Sequence, residues 1–109
     1  MKVLVLNGSP KAERSNTLNI TKAFLNGFPE GSDIEYVNLY KLNIKPCVGC
    51  FSCWNKTQGK CVIQDDMQEL YGKIKAADVV IESFPLYFFG MPSQLKAMTD
   101  RCLPFMLPY

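Results

Sequence analysis

Val3-Leu4-Val5-Leu6-Asn7-Gly8-Ser9-Pro10 decides the fold, because four consecutive apolar residues run straight into a turn. A short apolar run without alternation reads as a strand buried on both faces, as in the interior of a parallel sheet, and Val3 to Leu6 is the central-strand candidate. The turn continues as Lys11-Ala12-Glu13-Arg14-Ser15-Asn16-Thr17, rich in hydroxyls and short polar side chains. Behind it Leu18, Thr21, Leu25 and Phe28 recur at helical spacing, with Ser15 or Asn16 as the cap and Pro29 and Gly31 as the stop.

Outward from this unit the alternation repeats. Ile34 to Leu39 mixes apolar and polar residues, as a half-exposed edge strand does. Met67, Leu70, Tyr71 and Ile74 form the apolar stripe of a second helix, headed by Asp65 and Asp66 and closed by Asp78. Val79 to Phe84 reads as another buried strand, ended by Pro85. A third helix begins near Pro92-Ser93, carries Leu95, Met98 and Cys102 on one face, and is ended or kinked by Pro104. Three strand–helix units imply an α/β fold, a parallel sheet with helices on both faces. Ligands of such sheets sit at the carboxyl ends of the strands.

The bulk numbers exclude several classes. A chain of 109 residues is one domain, and a net charge of +2 with interspersed signs offers no basic stripe for nucleic acid. The N-terminal apolar run is too short for a signal segment and no stretch reaches membrane-spanning length, so a cytoplasmic location is expected. In that compartment five cysteines argue for metal or redox use over disulfides. Histidine is absent, which excludes a Ser-His triad, a Cys-His pair and a zinc-protease motif. An enzyme built this way relies on a bound cofactor for its chemistry.

Three segments could hold one. The cysteine-rich loop 46–64 contains Cys47, Cys50, Cys53 and Cys61, a Cys-x-x-Cys-x-x-Cys-x7-Cys run that suits an iron-sulfur cluster better than a zinc ribbon of two distant pairs. A redox dithiol and simple burial are the other readings of these thiols, and Cys102 is expected to pack. The loop from Asn7 to Thr17 lacks G-x-G-x-x-G and the Gly-Lys-Ser/Thr of a nucleoside triphosphate site, but its hydroxyls and helix start suit one terminal phosphate. An ordinary capped turn would have the same composition. Phe84-Pro85-Leu86-Tyr87-Phe88-Phe89-Gly90-Met91-Pro92 leaves the third strand at the same end, with apolar surface for a planar ligand, a partner or the core. One phosphate site and one aromatic site at the same switch point suggest flavin mononucleotide (FMN).

A family resemblance rests on Val3 to Pro10 with Ser15-Asn16-Thr17, then Lys45-Pro46-Cys47-Val48-Gly49-Cys50, Asp65-Asp66-Met67, and Pro85-Leu86-Tyr87 through Leu95-Lys96 and Asp100-Arg101. In the order of these motifs the chain closely resembles the flavodoxin-like NAD(P)H-dependent FMN reductases, and within them the iron-sulfur flavoproteins. The resemblance implies FMN, with its phosphate at Ser9, Pro10, Ser15, Asn16 and Thr17 and its ring beside Pro85, Leu86, Tyr87, Phe88 and Gly90. It also implies NAD(P)H as donor, a small-molecule electron acceptor, and a four-iron, four-sulfur cluster on Cys47, Cys50, Cys53 and Cys61. The family's sheet has five strands, whereas this sequence accounts for three before Leu107-Pro108-Tyr109. Residues 1–109 therefore read as an incomplete flavodoxin-like FMN-binding domain, truncated after the third strand–helix unit. A homo-oligomer is expected to make up the deficit, with residues 85–92 and 103–109 near the contact. The rival expectation is a non-enzymatic module in which the four cysteines bind zinc and the aromatic loop binds a protein partner.

Overall fold

The structure, a computed structural model, describes residues 1–106, so part of the contact expected at residues 103–109 lies outside the described residues. Its sheet has three parallel strands, β1 (Lys2–Asn7), β2 (Asp33–Asn38) and β3 (Val79–Ser83), in the order β2-β1-β3. Val3 lies opposite Ile34 on one side and Val79 on the other, and the register holds to Asn7 beside Asn38 and Ser83. The uninterrupted apolar run of β1 follows from this central place. Val3 and Val5 pack under Leu18 and Leu25 of α1 (Asn16–Leu25). Leu4 and Leu6 face the other way, against Met67 and Leu70 of α2 (Met67–Ala76) and Leu95 and Met98 of α3 (Ser93–Asp100). Each of the four β1 side chains is almost wholly buried, which contributes about 1.5–3 kcal/mol apiece.

The helix ends follow local chemistry. Ser15 caps α1, its Oγ accepting from the Leu18 amide at 3.3 Å. α1 stops at Leu25, and Phe28 lies past its end yet still packs on the Val3–Val5 face. At the head of α2 the acid that takes an amide is Asp65, whose Oδ1 accepts from Met67 N at 3.0 Å. α3 ends at Asp100, and Pro104 sits in a separate 3-10 turn, Leu103–Phe105, so it ends the helix rather than kinking it. Cys102 lies just past α3 with its Sγ on the Met98 carbonyl at 3.4 Å.

β3 departs from the buried strand expected of its sequence. Val80 is 41 % exposed and Glu82 is exposed, because β3 is an edge of the described sheet and no helix among the described residues covers these two side chains. The alternate positions Val79 and Ile81 pack on the α1 core, and the Ser83 hydroxyl accepts from Thr21 of α1 at 2.8 Å.

Candidate functional site

Asn7 shapes the loop that leaves β1. Its Nδ2 donates to Ala12 O at 2.8 Å and to Asn38 Oδ1 at 2.9 Å, while its Oδ1 accepts from Ser9 N at 3.2 Å. One fully buried amide thus curls residues 8–12 back onto the end of the sheet. Ser9 Oγ accepts from Lys11 N at 3.2 Å, and Ala12 takes a positive φ of 51° to complete the turn. Gly8 reads in the sequence only as a turn residue, yet a Cβ there would lie 3.1 Å from Leu95 Cβ and 3.2 Å from Phe84 Cβ. Its amide also donates to Ser83 O at 2.8 Å, so Gly8 lets the loop sit tight against β3 and α3.

Ser9 and Ser15 are buried, with their oxygens accepting amides inside the chain; Pro10 and Asn16 are exposed and Thr17 is half-buried. The backbone amides of Asn16 and Thr17, in the first turn of α1, find no acceptor among the described residues. The nearby Glu13 carboxylate is engaged by Lys41 at 2.6 Å, a hydrogen bond that lowers its pKa. The result is a helix start with free donors, ready for an anion.

At the end of β3, Tyr87 and Gly90 exchange two backbone hydrogen bonds, 2.9 and 3.1 Å long, around a two-residue turn. The central residues are Phe88 and Phe89, both at positive φ (50° and 63°) and both almost fully exposed. Such turns favour Asn-Gly, and aromatic residues there are strained. Leu86 and Tyr87 are exposed as well, while Pro85 and Gly90 are half-buried. Phe89, absent from the sequence-based set, stacks edge-on against Phe88 at 5.9 Å and stands equally open.

The cysteine loop rises from the neighbouring end of β2. Cys47, Cys50, Cys53 and Cys61 all border one narrow, mostly apolar pocket, together with Phe51, Ile63 and Arg101. Burial, reinforced by the other three cysteines, raises the Cys53 thiol, whereas the exposed Cys50 is lowered by hydrogen bonds from the Ser52 amide and hydroxyl. Among the described residues no three His, Cys, Asp or Glu side chains are gathered tightly enough to hold a single metal ion. A tetrahedral zinc site needs its sulfurs about 3.8 Å apart, given Zn–S bonds of about 2.3 Å, whereas a cubane cluster holds its thiolates farther apart around a larger body. Four thiols bordering one apolar pocket, with Arg101 in its wall, are the donor set that an all-cysteine site of either kind would use. Cys102 stands outside that pocket, its thiol pushed up to about 11 by burial and by the Glu82 carboxylate.

What closes the loop was not visible in the sequence. Arg101 and Asp65 form an ion pair that is 1 % and 0 % exposed, with Nη1–Oδ2 at 2.8 Å and Nη2–Oδ1 at 3.0 Å. Arg101 also donates to Lys45 O and Ile63 O, and Asp65 Oδ2 accepts from Lys45 N, so both ends of the loop meet on one pair. Burial alone would raise the Asp65 carboxyl, but Arg101 and the Lys45 and Met67 amides together hold it below its ordinary value. Beside this neck Asn43 and Asp66 exchange two further bonds, and the Trp54 indole N–H ties the loop to Leu103 O at 3.2 Å. In the sequence Asp65 is legible as a helix-heading acid and as part of the Asp65-Asp66-Met67 motif, not as the partner of Arg101.

A central β1 flanked by β2 and β3, helices on both faces and loops gathered at the carboxyl ends of the strands define a flavodoxin-like α/β protein. The chain belongs to the NADPH-dependent FMN reductase family, whose model matches residues 1–106. It is 40 % identical over 104 residues to an iron-sulfur flavoprotein of Methanocaldococcus jannaschii, covering 95 % of this chain and 53 % of the relative. An iron-sulfur flavoprotein of Methanosarcina thermophila is 36 % identical over 101 residues, 93 % of this chain and 52 % of its own length. Among solved structures, an FMN-dependent NADH-azoreductase from Bacillus anthracis in complex with FMN superposes with a TM-score of 0.68 at 26 % identity, over 93 % of this chain and 55 % of that one. An NAD(P)H:quinone oxidoreductase from Methanothermobacter marburgensis shares the fold, with a TM-score of 0.73 at 23 % identity over 94 % of this chain and 53 % of that one. The chain spans about half the length of the curated relatives it matches.

Proposed function

We propose that residues 1–109 form the FMN-phosphate and sulfur-ligand portion of an oxidoreductase that moves reducing equivalents from NAD(P)H to a small electron acceptor. The observation that carries this reading is the free helix start at Asn16 and Thr17, beside the central strand and next to the exposed aromatic turn. A phosphate there gains charge-assisted hydrogen bonds from the Asn16 and Thr17 amides and from the Thr17 hydroxyl, and it meets the positive end of α1. Pro10 flanks it from the loop. Ser9 and Ser15 act indirectly by fixing the turn from which those donors point. The ring would lie along Pro85, Leu86, Tyr87, Phe88 and Gly90, whose apolar surface excludes water on one side.

FMN supplies the capacity to accept a hydride and release electrons singly or in pairs, so the chain needs no acid or base of its own, consistent with the absence of histidine. Cys47, Cys50, Cys53 and Cys61 would hold a four-iron, four-sulfur cluster at the mouth of the same sheet, a reading supported by the relatives named as iron-sulfur flavoproteins. The zinc module draws less support, since the relatives at 40 % and 36 % identity are named as iron-sulfur flavoproteins. A location in the cytoplasm fits five thiols without a disulfide among the described residues. Self-association would cover the open face of β3 and the aromatic turn.

Protein purified and reconstituted without oxygen should bind FMN at one per chain and about four irons per chain, and should be yellow-brown. A colourless protein that carries stoichiometric zinc and ignores FMN would overturn the reading.

A further inference from the structure

We propose that Arg101 is a positioning residue for the sulfur site: its buried Nε–H is the donor that meets a sulfur atom of the group held by Cys47, Cys50, Cys53 and Cys61. The inference rests on the cluster reading above and adds to it a residue that is not a ligand. A guanidinium has five N–H donors in a rigid fork. In Arg101 the two terminal nitrogens serve Lys45 O, Ile63 O and both oxygens of Asp65, an end-on engagement that leaves Nε aside. Nε is buried and has no partner, and it is the one such side-chain nitrogen or oxygen among the described residues. Buried donors are almost always satisfied, so an orphan on an otherwise saturated side chain marks the place of a missing acceptor.

The surroundings say which acceptor. Arg101 lies in the wall of the pocket that all four cysteines border, and that wall is otherwise mainly apolar. The Tyr71 hydroxyl donates to Arg101 O at 2.5 Å, lies beside the Arg101 guanidinium without giving Nε a hydrogen bond, and is within reach of the Cys61 thiol, which makes Arg101, Tyr71 and Cys61 neighbours. A cluster ligated by four thiolates is anionic, its sulfurs accept hydrogen bonds, and such bonds raise its reduction potential. Because the Asp65 fork fixes the guanidinium plane before any ligand arrives, the donor is set without reorganisation. Lysine in its place keeps the charge but loses both the fork and the fixed N–H. The same residue would therefore close the loop's neck and tune what the loop holds.

The test uses the wild-type chain reconstituted anaerobically, with arginine labelled by 15N at Nε. The sequence contains two arginines, Arg14 and Arg101, and Arg14→Lys assigns the signal. Pulsed electron paramagnetic resonance of the reduced cluster should show a weak 15N coupling that persists in Arg14→Lys. Arg101→Lys should lower the cluster midpoint potential by an amount equal to a tenfold change in the reduction equilibrium, about 59 mV for one electron. A wild-type cluster with normal iron content and no 15N coupling would overturn the role of Arg101 while leaving the cluster reading intact, and this needs no core substitution to fold. An unchanged potential in a folded, fully loaded Arg101→Lys would overturn it too. A wild type that takes up no iron removes the cluster reading itself, and the proposal with it.

Discussion

The turn at residues 8–17 and the loop at residues 46–64 stand at the same end of the sheet but are held in different ways. In the first, most bonds of Asn7, Ser9 and Ser15 reach groups two to five residues away, with Asn7 also tied to Asn38 and the Gly8 amide to Ser83 O, so the shape is set mainly by neighbours in sequence. In the second, closure depends on Arg101, which reaches back 36 residues to Asp65 and 56 to Lys45. Local turns of the first kind cost little chain entropy to form, whereas the second must wait until α3 has docked. The difference should show wherever the two loops are perturbed separately.

The largest effect is expected at the distant clamp. Arg101→Met leaves Asp65 buried without its cation and should destabilise the chain by about 3–5 kcal/mol in urea unfolding, while replacement of exposed Arg14 should change little. Acid probes the same pair. Asp65 titrates lower in the folded chain than its ordinary 3.8, so as pH falls the unfolded chain takes the proton first. The stability Asp65 confers is full above about pH 4 and is lost as pH falls through the folded value, a slope that Asp65→Asn should remove.

Gly8→Ala tests the tight seat of the first loop. The added methyl meets Leu95 and Phe84 at 3.1–3.2 Å, and the cost should be about 1–3 kcal/mol in the same unfolding assay, without loosening the cysteine loop to limited proteolysis. The smallest expected effect has the opposite sign. Phe88→Asn with Phe89→Gly relieves two strained aromatic residues that bury almost nothing, and should stabilise the apo chain by about 1 kcal/mol while weakening flavin binding. Stabilisation with unchanged flavin affinity would remove the aromatic turn from the site.

Legibility followed the same division. β1, the cap of α1 at Ser15 and the apolar stripe of α2 were readable because period and capping are local signals. β3 misled: Val79 to Phe84 looks like a strand covered on both faces, yet coverage of Val80 depends on what packs beyond the edge, which no window of sequence contains. Arg101 was recognised only as part of a motif, and Asp65 as one of two acids before a helix; their pairing needs the fold. Gly8 gave a turn signal, but its closeness to Leu95 follows from how α3 crosses β1. The cysteines were legible as a cluster in sequence, and their meeting at one pocket depends on the neck that Arg101 closes.

Comparing FMN with riboflavin isolates the free donors at the start of α1. Asn16→Pro, at the first position of α1 where proline is tolerated, removes one of the two unpaired amides, and Thr17→Ala removes the hydroxyl beside the other, while the bonds of Asn7, Ser9 and Ser15 stay intact. Titration should show FMN weakened by at least about 1.5 kcal/mol and riboflavin, which lacks the phosphate, almost unchanged. Equal losses for both ligands, or none for either, would contradict the assignment of the phosphate to this helix start.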